Sequence, residues 1–292
     1  MVDDAFRNDP LRTRHFDVGD YEESVERITS SSNPKIKLSI QLRETRHRKK
    51  LGLTLIDGVR EVLYAMRAGV EIDLLIVDEQ IDGHPEWQVL LNEKPNQVVV
   101  YQVPSELFAK VTYGDRASSV VAVAKAASRP LDLLDIPEQG WVLVLDRVEK
   151  PGNLGAIMRT ADAVGVHAVI LSDPICEPYN PNAIRASQGA IFTTPLASGG
   201  FDDVWKWLLK RGFQVYAARV DGSDLYSHCD FTAATAIVLG NEAEGLGSQW
   251  THPSVHACRL PMLGTMDSLN VSVTAGVLAY EVWRQRHRQE KG

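Results

Sequence analysis

Short apolar runs alternate with amphipathic stretches along most of the chain. In the first half, Leu51–Ile56, Ile72–Val77, Val98–Val103 and Ser119–Ala124 read as strands. Between them, Val59–Ala68 and Pro104–Val111 have helical spacing, with Asp57 placed to cap the first of these and Gly69 to stop it. Upstream, Glu22–Ile28 predicts a short helix, and Asn33-Pro34 predicts a helix start with Asn33 as the N-cap and Pro34 as the first helical residue. In the second half the strands are Val142–Leu145, Ala168–Leu171, Gln214–Ala217, Ala236–Leu239 and Val255–Leu260, with helices over about 153–164, 202–211 and 268–288. This alternation predicts an α/β protein in two units. A polar tail covers 1–20, a first α/β domain 21–126, a linker with Pro130 and Pro137 127–139, and a second α/β domain 140–292.

Two helical faces bear on function. Leu154, Ile157, Met158, Ala161 and Val164 form one apolar face, which leaves Arg159 roughly opposite its centre. In the last helix Leu269, Val273, Val277, Tyr280 and Trp283 form an apolar stripe that is either core or a subunit interface. The cations from Arg284 to Arg288 lie where the helix dipole favours them.

The N-terminus is polar and lacks the apolar region of a signal peptide, and no apolar run is long enough to span a membrane, so a cytoplasmic protein is expected. Cys176, Cys229 and Cys258 are far apart without metal-ligand spacing, which disfavours a disulfide framework or a zinc site. The formal net charge of −7 argues against a general nucleic-acid coat. The distribution is uneven, however. Lys35, Lys37, Arg43, Arg46, Arg48, Lys49 and Lys50 face a single anion, Glu44, leaving a local excess of six positive charges within 16 residues. Such a patch is either a solvated helix face or an RNA contact.

Three strand ends carry polar, glycine-marked turns: Pro151-Gly152-Asn153-Leu154-Gly155, Gly240-Asn241-Glu242-Ala243-Glu244-Gly245, and the stretch from Leu260 to Ser272. Together they predict one crevice at the carboxyl edge of a sheet. The second turn lacks the Gly-Lys-Ser/Thr ending of a P-loop, and its two carboxylates would repel a polyphosphate. The glycine fingerprint for dinucleotides is also absent, which disfavours an ordinary Rossmann enzyme acting on a small molecule.

These segments resemble, in order and spacing, the motifs of the SpoU/TrmH family of RNA ribose 2′-O-methyltransferases in the SPOUT superfamily. The matching stretches are Asn153 to Ala163, Val238 to Leu246, and Leu260-Pro261-Met262 with Ser268 to Val273. Residues 28–124 resemble the L30e-like substrate-binding domain of rRNA-type members. The resemblance implies a C-terminal parallel sheet closed by a trefoil knot, bound S-adenosyl-L-methionine, and a homodimer formed through the C-terminal domain. It implies a structured RNA substrate, with rRNA favoured over tRNA by the accessory domain. A non-catalytic RNA-binding or assembly factor of the same fold is the competing reading.

The resemblance also suggests residue roles. Gly240, Leu260 and Leu269 match positions that cradle the cofactor's adenosine. Arg159 matches the catalytic arginine. Its guanidinium is a poor base, so clamping the phosphate beside the target ribose is the favoured role over proton abstraction. Asn153 is either a helix N-cap or an amide that holds the loop or the ribose. Glu242 would fix Arg159 or the loop backbone. Ser268 and Asn270 lie near substrate and cofactor, with Ser268 also a candidate N-cap of the final helix. Arg185 is a candidate RNA contact. No metal is required for the transfer.

Overall fold

The computed structural model describes residues 25–113, 118–126 and 130–287. The polar tail over 1–20 and residues 127–129 of the linker lie outside this range. The first unit is a five-stranded sheet of order β1-β4-β3-β5-β2, made of Val25–Arg27 (β1), Leu53–Asp57 (β2), Ile72–Asp78 (β3), Val99–Val103 (β4) and Val120–Lys125 (β5). The β1–β4 and β3–β4 pairs are parallel, and β5 runs antiparallel to β2 and β3. Its helices are Pro34–Gln41 (α1), Thr45–Leu51 (α2), Val59–Arg67 (α3), Trp87–Glu93 (α4) and Ser105–Val111 (α5).

Asn33 caps α1 as expected, its side chain accepting from the Lys35 N–H at 2.9 Å, with Pro34 in the first turn. Three expectations fail here. The predicted helix over Glu22–Ile28 is strand β1 where it is described, because Val25 to Arg27 find an open edge on β4. The N-cap of α3 is Gly58 and not Asp57; the Asp57 carboxylate accepts instead from the Tyr113 N–H at 2.8 Å. The basic segment breaks into two helices between Gln41 and Thr45.

The second unit is a seven-stranded parallel sheet of order β10-β12-β9-β11-β6-β7-β8. Its strands are Trp141–Asp146 (β6), Ala168–Ser172 (β7), Leu196–Gly199 (β8), Gln214–Ala218 (β9), Asp224–Leu225 (β10), Thr235–Leu239 (β11) and Val255–Arg259 (β12). Both faces are covered, which is why β6, β7 and β11 are buried at every position instead of alternating. Leu143, Leu145, Ile237 and Leu239 join the cluster beneath Pro151–Ala163 (α6), Pro181–Ser187 (α7), Ala190–Thr193 (α8) and Val271–Arg286 (α10). Val142, Val144, Ala236 and Val238 face Phe201–Lys210 (α9).

Leu134 and Ile136, read from sequence as linker, are buried in this second cluster, and Arg211 donates to the Leu134 carbonyl at 3.0 Å. The first cluster runs without a break from Val62 and Leu75 of the first unit to Leu154 and Ala183 of the second. The two units therefore share a core. Polar contacts reinforce the junction: Thr54 Oγ1 donates to the Tyr179 carbonyl at 2.7 Å, and the Arg48 Nε donates to Glu177 at 2.8 Å.

Candidate active site

The three glycine-marked turns do converge. The ends of β9, β11 and β12 and the entry to α10 enclose a cleft of about 680 Å³. Gly240, Leu260 and Leu269 all line it, together with Asn241 to Leu246 and Ser268 to Val271.

The turn after β11 is built tightly. Asn241 and Gly245 exchange backbone hydrogen bonds at 2.9 and 3.0 Å, and Gly245 has φ +68°, a conformation glycine adopts without strain. A Cβ on Gly240 would lie 2.3 Å from the Gly245 carbonyl carbon and 2.5 Å from the Leu246 nitrogen, so only glycine lets the turn fold back on the strand end. The Asn241 side chain accepts from the Ala243 and Glu244 N–H groups and donates to the Arg147 carbonyl at 2.9 Å. Arg147, itself at φ +53°, pairs with Glu244.

A second network joins the three turns. Glu242 Oε1 accepts from Asn153 Nδ2 at 2.7 Å and from the Lys150 N–H at 3.2 Å, while its Oε2 accepts from the Glu149 N–H at 3.3 Å. Asn270 Nδ2 donates to Asn153 Oδ1 at 3.2 Å. Burial pushes the Glu242 carboxyl up, but these hydrogen bonds outweigh it and hold the group below its ordinary value. Glu242 therefore fixes the loop entering α6, and its contacts are with that loop and not with Arg159.

Two capping expectations are corrected by the same geometry. Lys150 is the N-cap of α6, Pro151 opens the helix, and Asn153 is a first-turn residue whose amide faces Glu242. Asn270 is the N-cap of α10, accepting from the Ser272 N–H at 2.8 Å, whereas Ser268 lies exposed at the rim of the cleft.

Arg159 is exposed on α6 and does not line the cleft of its own chain. It lies six residues beyond Asn153, about 9 Å farther along the helix axis at 1.5 Å per residue. Among the described residues it has no hydrogen bond or ion pair in the structure. The apolar stripe of the last helix is exposed as well. Leu269, Val273, Tyr280 and Trp283 are 41 to 54% exposed, while Val271, Ala275, Leu278, Ala279 and Val282 face the core.

Lys35, Lys37, Arg43, Arg46, Lys49 and Lys50 are all exposed on one segment of the first unit. Arg48 is not part of that surface. Its side chain is only 3% exposed and is held by Glu177, by the carbonyls of Leu42 and Arg43 at 2.8 and 2.9 Å, and by Thr45 Oγ1 at 2.8 Å. A charge so enclosed cannot meet a phosphate without unfolding α2. Arg185 is likewise engaged: it donates to the Tyr113 carbonyl across the junction and acts electrostatically on Asp57.

Sequence reading missed Arg219, Val220 and Asp221, which line the cleft beyond β9, with Arg219 and Asp221 paired at 2.7 Å. Their signal was a strand end followed by Gly222, a turn that parallel sheets use at their ligand-binding edge. It also missed the buried Asp146 at the end of β6. Neither His228 nor Cys229 reaches the cleft; the Cys229 thiol donates to the Leu225 carbonyl at 3.6 Å.

Fold and cleft together define a class: a parallel α/β protein whose ligand site is built from loops at the carboxyl ends of β9, β11 and β12. The chain belongs to the SpoU/TrmH family of RNA methyltransferases. Residues 140–280 match the SpoU rRNA methylase family, and residues 33–122 match the MRM3-like substrate binding domain. It is 29% identical over 278 residues to the 23S rRNA (uridine(2479)-2′-O)-methyltransferase of Streptomyces viridochromogenes, covering 92% of this chain and 95% of that one. A crystal structure of an AdoMet-bound rRNA methyltransferase from Sinorhizobium meliloti superimposes with a TM-score of 0.81 at 28% identity, over 89% of this chain and 98% of the other. A crystal structure of an RNA 2′-O ribose methyltransferase has a TM-score of 0.77 at 34% identity, over 89% and 99%.

Proposed function

We propose that this protein transfers a methyl group from S-adenosyl-L-methionine to a ribose 2′-hydroxyl in rRNA. The observation that carries the reading is the closure of three separate strand-end segments on one cleft through the Asn153–Glu242–Asn270 network. The cofactor fits that cleft. Its volume falls within the range of about 300–1,000 Å³ typical of small-molecule sites. Leu239, Leu246, Leu260 and Leu269 offer apolar contacts for an adenine face, and the backbone at Gly240 and Leu260, where the strands end, offers polar groups for its edge. The relatives of known activity act on rRNA, and the cationic face of the first unit suits a phosphate backbone.

When bound, the cofactor supplies an electrophilic methyl group on a sulfonium. The chain supplies position. Gly240, Leu260 and Leu269 hold the adenosine; Glu242, Asn153 and Asn270 keep the two loops at the spacing that admits it. Glu242 is already occupied by three donors, so it acts as a brace and not as a base. Arg159 clamps the phosphate next to the target ribose and orients the 2′-hydroxyl, whose proton passes to solvent as its oxygen takes the methyl group. Ser268 contacts substrate or cofactor at the rim.

Arg159 stands outside its own chain's cleft, and the exposed stripe on α10 lies beside the cleft at Leu269. A homodimer through that stripe would bury the apolar side chains and bring a second surface to the site. The order β10-β12-β9 and the return of α10 onto α6 suit a chain threaded into a trefoil knot. The protein acts in the cytoplasm on this reading, and no helix among the described residues is long and apolar enough to cross a membrane.

The test is ribose-methylation mapping of rRNA and tRNA from cells with and without the gene, complemented by wild type or Arg159→Ala. One 2′-O-methyl site that vanishes, returns with wild type and stays absent with Arg159→Ala is the expected result. A site lost only from tRNA would reassign the substrate. Loss of no site, or full activity of Arg159→Ala, would overturn the reading or the role of Arg159 respectively.

A further inference from the structure

A second cleft, of about 270 Å³, opens at the junction of the two units and shares no lining residue with the first. Its walls are Leu53 and Thr54 at the start of β2, Ala126 after β5, and Ile175 and Tyr179 from the segment between β7 and α7. Its charged lining is the Arg48–Glu177 pair, whose charges cancel, and Lys49. Ile175 is 54% exposed, while its neighbour Cys176 is buried in the shared core. Lys50 and Arg46 stand exposed on the same helix as Lys49.

Apolar walls with a cationic rim fit one ligand chemistry well: a flat, uncharged ring system attached to a phosphate. The volume falls just below the range of about 300–1,000 Å³ of sites that enclose a whole small molecule, so it suits a single base better than a free cofactor. The cleft is also close to the reaction site through bonded structure. The Cys176 N–H donates to the Val148 carbonyl at 3.0 Å, and the next two residues, Glu149 and Lys150, donate their N–H groups to Glu242. A base held here would lie one loop away from the catalytic turn.

We propose that this junctional cleft captures one unstacked base of the RNA substrate, so that the first unit does more than attract phosphates: with the second unit it selects an RNA that can splay out a nucleotide near the target. Single-stranded or bulged RNA presents such bases, and apolar and aromatic side chains hold them. The proposal rests on the reading of the protein as an RNA methyltransferase.

The experiment compares wild type with Ile175→Asp, which puts a negative charge in the wall, and Ala126→Trp, which fills the cleft. Each is assayed for methylation of an unmodified 23S rRNA transcript, for cofactor affinity by calorimetry, and for thermal midpoint. The wild type is also photo-crosslinked to the same transcript carrying 4-thiouridine. The expected result is a KM for RNA raised about tenfold in both variants, the size expected when one base is no longer held. kcat, cofactor affinity, thermal midpoint and the salt dependence of RNA binding should stay at wild-type values. Crosslinks should fall on peptides holding Leu53 or Tyr179. Unchanged KM in both variants, or crosslinks confined to other peptides, overturns the cleft assignment while leaving the methyltransferase reading intact. A wild type that neither binds nor methylates rRNA overturns both.

Discussion

Replacing Arg48 by Met separates a structural cation from its RNA-facing neighbours. The guanidinium ties together Glu177 of the second unit, the carbonyls of Leu42 and Arg43 between the two basic helices, and Thr45. Glu177 is 14% exposed, so the substitution leaves a largely enclosed carboxylate without its counter-ion. Removing one member of a buried ion pair costs about 3–5 kcal/mol. Each hydrogen bond taken alone would add up to more than that, but the Met side chain regains part of the loss through apolar contact. An unfolding entropy of about 2.1 cal/mol/K per residue over 292 residues gives about 1.6 °C per kcal/mol, so the thermal midpoint should fall by about 5–8 °C. Calorimetry and urea unfolding followed by tryptophan fluorescence both report it. The double variant Arg48→Met/Glu177→Leu should recover much of the loss, since two apolar side chains replace two charges that were costly to enclose. RNA affinity at fixed temperature should keep its wild-type salt dependence. Lys49→Met should do the reverse, leaving the midpoint in place and reducing the salt slope by about the share of one phosphate. An Arg48→Met protein as stable as wild type with a reduced salt slope would refute the structural assignment and return Arg48 to the RNA surface.

Other outcomes follow from the same geometry. Gly240→Ala should weaken cofactor binding by tenfold or more, given the cost of about 1–3 kcal/mol for forcing a methyl group against packed atoms; calorimetric affinity equal to wild type would mean the turn can shift freely. Neutralising Lys35, Lys37, Arg43, Arg46, Lys49 and Lys50 together should flatten the salt dependence of RNA binding by about 0.7–0.9 in log–log slope for each phosphate that is no longer neutralised. Because the Glu242 carboxyl is held below its ordinary value, its stabilising effect is present above the ordinary carboxylate pKa and lost as pH falls through the depressed folded value. Cofactor affinity should therefore hold through mildly acidic pH and fail below it in wild type, whereas Glu242→Gln should bind more weakly without that acid limb. Val273→Asp with Tyr280→Asp should give a monomer in light scattering, with methylation abolished and the fold retained by circular dichroism; an unchanged mass would exclude this stripe as the subunit contact.

Much of this protein follows from its sequence by local physical rules. Parallel strands covered on both faces must be apolar at every position, so β6, β7 and β11 announce themselves as unbroken runs. Asn33-Pro34 starts a helix because the side-chain cap and the fixed φ of proline act within a few residues. The three strand-end segments could be assigned to one crevice because strand ends in parallel sheets share an edge, whereas Gly240, Leu260 and Leu269 were singled out within them by the family resemblance and not by any local rule. The tertiary structure decided what depends on contacts distant in sequence. Arg48 and Lys49 are adjacent cations in one helix, yet one is enclosed by Glu177 and the other meets solvent, a difference set by a residue 129 positions away. Asn153 and Ser268 both had the composition of helix caps, but Glu242 and Asn270 claimed the bonds that settle where each helix begins. The last helix has apolar residues on two faces, and the sequence pattern alone had no means of telling which one meets the sheet. Packing of Ala275, Leu278, Ala279 and Val282 into the core, where every position must meet close-packed neighbours from elsewhere in the chain, leaves Val273, Tyr280 and Trp283 outward.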